Sequence, residues 1–141
     1  MKAKNVYIGP ALEALLADTR DDDPDTGQRT RRINNIAERY RALIHSAMPT
    51  LTRNEWCAVM DANNGLGVIG DLLTVMNAWM NVADSPELEN KWEVDLTRLT
   101  ARLRQMSMAE KLAVGEAIER FWAWSNLPTD EALAKALVLI G

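Results

Sequence analysis

Apolar residues recur at helical spacing along most of this chain. Between Thr30 and Ala47 they stand three or four residues apart, with charged residues opposite them, as in an amphipathic helix. The same spacing predicts a short helix from Pro10 through Leu16, because proline suits the first turn of a helix. Further helices are expected over 52–63, 69–80, 96–106, 107–122 and 130–140, and Ser85-Pro86-Glu87 is expected to start another short one.

Two helix starts carry a stronger signal than periodicity. Thr52 with Glu55, and Ser107 with Glu110, have the spacing of capping boxes, in which each side chain bonds the other residue's backbone N–H. Asn64-Gly65 and Pro128-Thr129 are typical of helix ends and turns. These signals predict a helical second half of the chain.

The amino-terminal residues follow a different period. Val6 and Ile8 alternate with Asn5 and Tyr7, which predicts a short strand over 2–8 with one buried face. The rest of the chain offers no second strand, so we expect this one to pair with its copy in a second subunit. A two-stranded antiparallel ribbon of this kind fits the major groove of B-DNA.

The first 47 residues resemble the ribbon-helix-helix (Arc/MetJ-type) family of DNA-binding proteins. Residues 5–16 look like the strand and first helix of that family, and residues 30–40 are similar to its second helix. The second-helix pattern matches at Thr30, Ile33, Ile36-Ala37 and Tyr40. The loop over 21–27 is longer and more acidic than the usual turn of the family. The segments 51–57 and 107–122 resemble parts of uncharacterised bacterial proteins, which implies no activity.

The resemblance implies roles for particular residues. Ala3, Asn5 and Tyr7 would face the bases, and Asn5 can make a paired hydrogen bond to adenine. The buried residues of the dimer would be Val6, Ile8, Ile33, Ile36, Ala37 and Tyr40. Independently of the family, the backbone N–H groups around Thr30 lie at a helix N-terminus, and Arg29, Arg31 and Arg32 flank them, so these four residues are expected phosphate contacts.

The expected fold is therefore mainly α, with two domains. Residues 1–48 form a ribbon-helix-helix module of one strand and two helices. Residues 49–141 form an acidic α-helical domain of about four to five helices.

The distribution of charge fits this division. The whole chain carries a formal charge of −4, whereas residues 1–47 hold eight basic and seven acidic side chains. Four of those seven acids crowd into residues 21–25, so the rest of the first module is distinctly basic. The start lacks a secretory signal, the apolar run at 132–140 is too short to span a membrane, and Cys57 has no partner for a disulfide, so a cytoplasmic protein is expected.

Other motifs give weaker indications. The glycines of 65–70 match a dinucleotide-binding pattern but lie between predicted helices, and Asp21, Asp23 and Asp25 lack the remaining ligands of a calcium loop. We expect no cofactor and no metal, and His45 has no catalytic partners in the sequence. Of the five tryptophans, Trp56, Trp79 and Trp122 lie on apolar stripes, whereas Trp92 and Trp124 do not and are candidates for an interaction surface or a small-ligand pocket.

These observations favour a dimeric, sequence-specific DNA-binding regulator, such as a repressor or a plasmid or phage accessory protein, rather than an enzyme. Its expected partners are double-stranded DNA, a second copy of itself and a protein bound to residues 49–141, with no membrane. The alternative is a protein–protein interaction module, or an antitoxin-like protein, in which the ribbon serves only for dimerisation.

Overall fold

A computed structural model describes residues 9–17, 28–65 and 70–138 of the chain. Over these ranges every regular element is an α-helix and no strand occurs. The mainly α class is thus confirmed.

The strand of the predicted ribbon-helix-helix module is not part of this fold, and that part of the fold prediction is wrong. The segment predicted as a strand, 2–8, lies outside the described residues, and the described ones offer no strand for it to pair with. A strand needs a neighbouring backbone for its N–H and C=O groups, and helices use these groups internally. The described helices therefore provide no strand for a sheet.

The chain divides into two compact units, Met1–Arg41 and Ala42–Gly141, whereas the sequence placed the boundary after Met48. In the first unit, α1 spans Pro10–Leu16 and α2 begins at Gln28. Helix α2 runs as far as Ala47, so the division between the units falls within it.

The second unit contains the end of α2 and seven further helices in the part that the structure describes. They are α3 (Arg53–Ala62), α4 (Leu72–Met76), α5 (Ala78–Ala83), α6 (Leu88–Trp92), α7 (Leu96–Gln105), α8 (Met108–Ala123) and α9 (Thr129–Val138). Helix α9 packs on α8, α4 on α8, α5 on α7, and α6 on α3.

Both predicted capping boxes are confirmed. The Thr52 hydroxyl accepts from the Glu55 N–H at 3.1 Å, while the Thr52 N–H donates to the Glu55 carboxylate at 2.9 Å. The equivalent distances at α8, between Ser107 and Glu110, are 3.2 and 3.0 Å. Each box satisfies backbone donors that would otherwise lack a partner in the first turn of the helix.

Helix α3 lies at the centre of the second unit. Its five consecutive residues Trp56–Met60 are all buried, so the helix is enclosed on every side rather than along one stripe. It contacts α5, α6 and α8, and the core around it includes Val82, Leu99 and Ile118. A stretch that is apolar all round, as the middle of α3 is, is typical of such an enclosed position.

The described part of the second unit has seven helices after α2, more than the four or five that we expected, and one of the additional helices arises because a predicted helix is divided. The periodicity over 69–80 continues through Asn77, yet the structure ends α4 at Met76 and begins α5 at Ala78. The Asn77 side-chain amide donates to the Leu73 carbonyl oxygen at 2.9 Å. The Asn77 backbone N–H donates to the same oxygen at 3.1 Å, so the last helical hydrogen bond of α4 is kept, and the helix ends because Asn77 leaves the helical conformation (φ −107°, ψ 12°).

One buried polar residue links α3 to α5. Asn63, only 2% exposed, donates from its amide to the Val59 carbonyl at 2.9 Å and accepts from the Asn81 amide at 2.7 Å. Because its donor and its acceptor are both used, the amide is buried without an unpaired group.

Gly115 allows α8 to approach α4 closely. A Cβ atom at this position would lie 2.5 Å from Cγ1 of Val75, a side chain with little freedom at χ1. We expect Gly115→Ala to lower the free energy of unfolding by about 1–2 kcal/mol, although alanine is otherwise the better helix former. Urea denaturation followed by tryptophan fluorescence measures this change.

The matched control for this prediction is Val75→Ala, which removes the methyl groups that clash. In that background we expect Gly115→Ala to become neutral or stabilising, by up to about 1 kcal/mol. Equal destabilisation in both backgrounds would show that the close approach to Val75 is not the reason for the glycine.

No helix among the described residues is long and apolar enough to cross a membrane.

Candidate nucleic-acid interface

Helix α2 carries a concentrated positive charge. Its residues 28–41 include five arginines and one glutamate, a formal charge of +4 in a chain whose total is −4. Arg31, Asn35 and Arg39 follow one another at intervals of four residues, so they lie along one side of the helix. Arg32 lies beside this row. We refer to these four residues as the arginine face.

The arginine face is accessible along its length. Arg31, Asn35 and Arg39 are exposed, and Arg32 is half-buried. The Arg32 guanidinium donates to the Leu15 carbonyl oxygen, at 3.5 Å, at the end of α1. Helix α1 thus supports one edge of the face while the central row stays open to solvent.

Arg29 and Arg31 lie in the first turn of α2, where positive charge is unfavourable for the isolated helix. The first turn of α2 contains no acidic residue, whereas α3, α8 and α9 each have one or two there. The helix dipole is positive at its N-terminus, and each cation there costs roughly 0.3–1 kcal/mol. A bound anion would offset both the dipole and the arginine charges.

The structure brings the four predicted phosphate contacts together at the start of α2. The helix begins at Gln28, two residues earlier than expected, so Arg29, Thr30 and Arg31 all lie in its first turn. The first N–H groups of a helix generally have no carbonyl partner within it, and the predicted phosphate contacts depend on such groups. Arg32 follows directly, and Thr30 is exposed.

The predicted base contacts Ala3, Asn5 and Tyr7 lie outside the described residues, as do Val6 and Ile8 of the predicted dimer core. The other predicted dimer-core residues lie on α2. Ile33 and Ile36 are half-buried, Ala37 is exposed, and Tyr40 is 40% exposed. The apolar side of α2 is therefore only partly covered within the first unit.

Sequence reasoning missed Asn35 and Arg39 as members of this face. It stopped at the cluster Arg29–Arg32, which is contiguous in sequence, although residues four apart are neighbours on a helix surface. The spacing of Arg31, Asn35 and Arg39 would have shown the row.

The other motifs noted in the sequence do not contribute residues to the arginine face. The loop of 21–27 lies outside the described residues, as do residues 66–69 of the glycine motif. His45 is exposed in the last turn of α2. Within the ranges that the structure describes, no group of three or more histidine, cysteine or acidic side chains is placed to hold a metal ion.

Comparison with protein-family models, with curated proteins and with solved structures gives no match to this chain.

Proposed function

We propose that this protein is a DNA-binding regulator and that the arginine face of α2 contacts duplex DNA. The observation that supports the proposal is an exposed row of cations on one helix of an otherwise acidic protein. Localised positive charge of this kind is the electrostatic footprint expected of a nucleic-acid-binding surface.

The dimensions of the row suit DNA. Eight residues separate Arg31 from Arg39, which corresponds to about 12 Å along the helix axis at the usual rise of about 1.5 Å per residue. The major groove of B-DNA is about 12 Å wide and admits an α-helix. Guanidinium groups at the ends of the row can bind phosphates or guanine edges, and the amide of Asn35 between them can pair with adenine.

The charge of the rest of the chain would restrict how DNA binds. Residues 42–141 contain eight basic and thirteen acidic side chains, a formal charge of −5. This acidic unit would repel phosphates, which disfavours binding in other orientations. Binding through the arginine face alone is therefore the favoured arrangement.

We include self-association in the proposal because the apolar side of α2 is incompletely covered. Ile33, Ile36 and Tyr40 stand three and four residues apart, a spacing at which one helix packs against another. A second copy on this side would place two arginine faces on one DNA site, and a pseudo-palindromic site would follow.

Fluorescence anisotropy with a labelled DNA duplex, at fixed salt, tests the proposal. We expect Arg31→Ala and Arg39→Ala each to weaken binding by about tenfold, because each removes a charge-assisted hydrogen bond. Arg98→Ala is the matched control, since Arg98 is also an exposed helical arginine but lies on α7. It should leave the affinity unchanged.

A variant that is expected to strengthen DNA binding distinguishes the loss of a DNA contact from misfolding. Glu38 is exposed on α2 next to Arg39, and Glu38→Gln removes the one negative charge of residues 28–41. We expect this variant to bind DNA severalfold more tightly. The proposal is wrong if Arg31→Ala, Arg39→Ala and Glu38→Gln all bind like the parent, or if no duplex is bound even at low salt.

A protein-binding role for the second unit is the second candidate. Leu72, Leu73 and Met80 on α4 and α5 are exposed by 54%, 73% and 45%, which is much apolar surface for two short helices. Such a surface is typical of a protein-interaction site. It would be the leading function if DNA binding fails.

A further inference from the structure

A pocket of about 190 Å³ lies within the second unit. Four elements contribute to it: α3 provides Asp61, the end of α6 provides Lys91 and Trp92, α8 provides Phe121 and Trp122, and α9 begins at its edge. The proposed DNA-binding function makes no use of this pocket.

The walls of the pocket are aromatic and held in place. The Trp92 indole N–H donates to Oδ2 of Asp61 at 3.0 Å, and the Trp122 indole N–H donates to the Met60 carbonyl at 3.0 Å. Phe121 packs edge-on against Trp122, with ring centroids 5.1 Å apart. Because both indole N–H groups are already bonded, the rings offer a ligand their π-systems rather than their donors.

One carboxylate supplies the negative charge of the pocket. Oδ2 of Asp61 accepts from the Trp92 indole and also lies 2.7 Å from Nζ of Lys91, so the carboxylate's second oxygen remains as an acceptor. Burial raises the pKa of Asp61, but the hydrogen bonds from Lys91 and Trp92 and the charge of Lys91 outweigh it, and the pKa lies below its ordinary value. Asp61 is therefore ionised at neutral pH.

The ammonium group of Lys91 lies near the Asp61 carboxylate and the Trp92 ring. Nζ of Lys91 lies 5.6 Å from the centre of the Trp92 ring, within the range of a cation–π contact, and pairs with Asp61. The Lys91 side chain is 58% exposed, and ion pairs this exposed are weak. A competing cation could therefore displace the ammonium group into solvent at little cost.

We infer that this pocket binds a small organic cation of the quaternary ammonium type, which replaces the Lys91 ammonium against Asp61 and the aromatic rings. Aromatic rings around a carboxylate are suited to such a cation, because the ring faces carry negative potential and the cation is weakly hydrated. An anion would be attracted by Lys91 but repelled by the Asp61 carboxylate and by the negative potential of the ring faces.

Three probes of almost the same shape test the sign of the charge: choline, the neutral 3,3-dimethylbutan-1-ol and the anionic 3,3-dimethylbutanoate. Binding is measured on the complete chain from the indole N–H signals in ¹H–¹⁵N NMR, assigned with single Trp→Phe variants. We expect choline to shift the signals of Trp92 and Trp122 but not those of Trp79 and Trp124. The alcohol should bind at least tenfold more weakly, and the carboxylate should not bind.

Two substitutions with opposite expected effects complete the test. Asp61→Asn should weaken choline binding at least tenfold, whereas Lys91→Met should strengthen it severalfold by removing the competing cation. Lys135→Met is the matched control, because Nζ of Lys135 lies 4.6 Å from the Trp124 ring in a similar pair outside the pocket. It should leave choline binding unchanged.

The inference is overturned if Lys91→Met weakens choline binding, or if 3,3-dimethylbutanoate binds better than choline, since Lys91 would then be the anchor of an anionic ligand. It is also overturned if none of the three probes shifts Trp92. DNA binding is measured separately on the same variants, so a failure of either proposal leaves the other open to its own test.

Discussion

Raising the salt concentration from about 50 to 200 mM is expected to weaken DNA binding about 40-fold for each chain on the site. In the proposed complex, Arg31, Arg32 and Arg39 would provide three phosphate contacts per chain, and each contact would release a condensed cation from the DNA. The slope of log affinity against log salt is then about −2.7 for one chain and about −5.4 for two. For two chains, the same salt change weakens binding roughly 2,000-fold.

The slope, measured by anisotropy over several salt concentrations, also checks which residues take part. Arg31→Ala should reduce its magnitude by about one for each bound chain, while Arg98→Ala should leave it unchanged. A parent slope near zero would contradict contact between the arginine face and the DNA backbone, whatever the affinity.

Truncation of Ile118 is expected to have the largest effect on stability. Its side chain is fully buried in α8, within the core of the second unit. Ile118→Ala removes three carbon atoms and leaves a cavity, so we expect the free energy of unfolding to fall by about 3–4 kcal/mol. This is a large part of the roughly 5–15 kcal/mol that stabilises a typical domain. Urea denaturation, followed by circular dichroism and tryptophan fluorescence, measures the loss.

Two further variants calibrate this result. Ile118→Val removes one methyl group and should cost about 0.5–1.5 kcal/mol. Leu73→Ala alters a side chain that is 73% exposed and should change stability by less than about 0.5 kcal/mol. If Ile118→Ala costs no more than Leu73→Ala, the assignment of Ile118 to the core is wrong.

Local signals in the sequence were sufficient for much of the helical structure. The Thr52–Glu55 and Ser107–Glu110 boxes are each made by residues three apart, so spacing alone identified the starts of α3 and α8. Pro10 likewise marked the start of α1. Such signals depend on neighbours in the chain, and tertiary packing did not alter them.

Features that depend on competing or distant contacts were not predictable in this way. The spacing of apolar residues over 69–80 predicts one continuous helix. It does not predict that the Asn77 side chain bonds the Leu73 carbonyl where α4 ends. The alternation over residues 5–8 indicated a strand, but alternation describes a single segment and cannot supply the strand that it needs as a partner.

The two candidate sites differ in the same respect. Arg31 and Arg32 could be selected from the sequence because they are adjacent, and Arg39 could have been added by helical spacing. The pocket could not be predicted from the sequence, because its hydrogen bonds join residues that are far apart in the chain. Asp61 bonds Trp92, 31 residues later, and Met60 bonds Trp122, 62 residues later. The sequence indicated only that Trp92 and Trp124 depart from the apolar stripes and are candidates for an interaction surface or a small-ligand pocket, and Trp92 is the one that lines this pocket.

The enclosed position of Cys57 provides a built-in reporter of how often the core opens. It is the only cysteine of the chain and is 2% exposed within α3. Burial is the main cause that raises the pKa of its thiol, which keeps it in the unreactive protonated form. Cys57 also lines the pocket that contains Asp61 and Trp92, so a thiol reagent can reach it through that pocket or during transient openings that expose α3. The labelling rate of the unmodified natural sequence reports on both routes, and no engineered cysteine is needed.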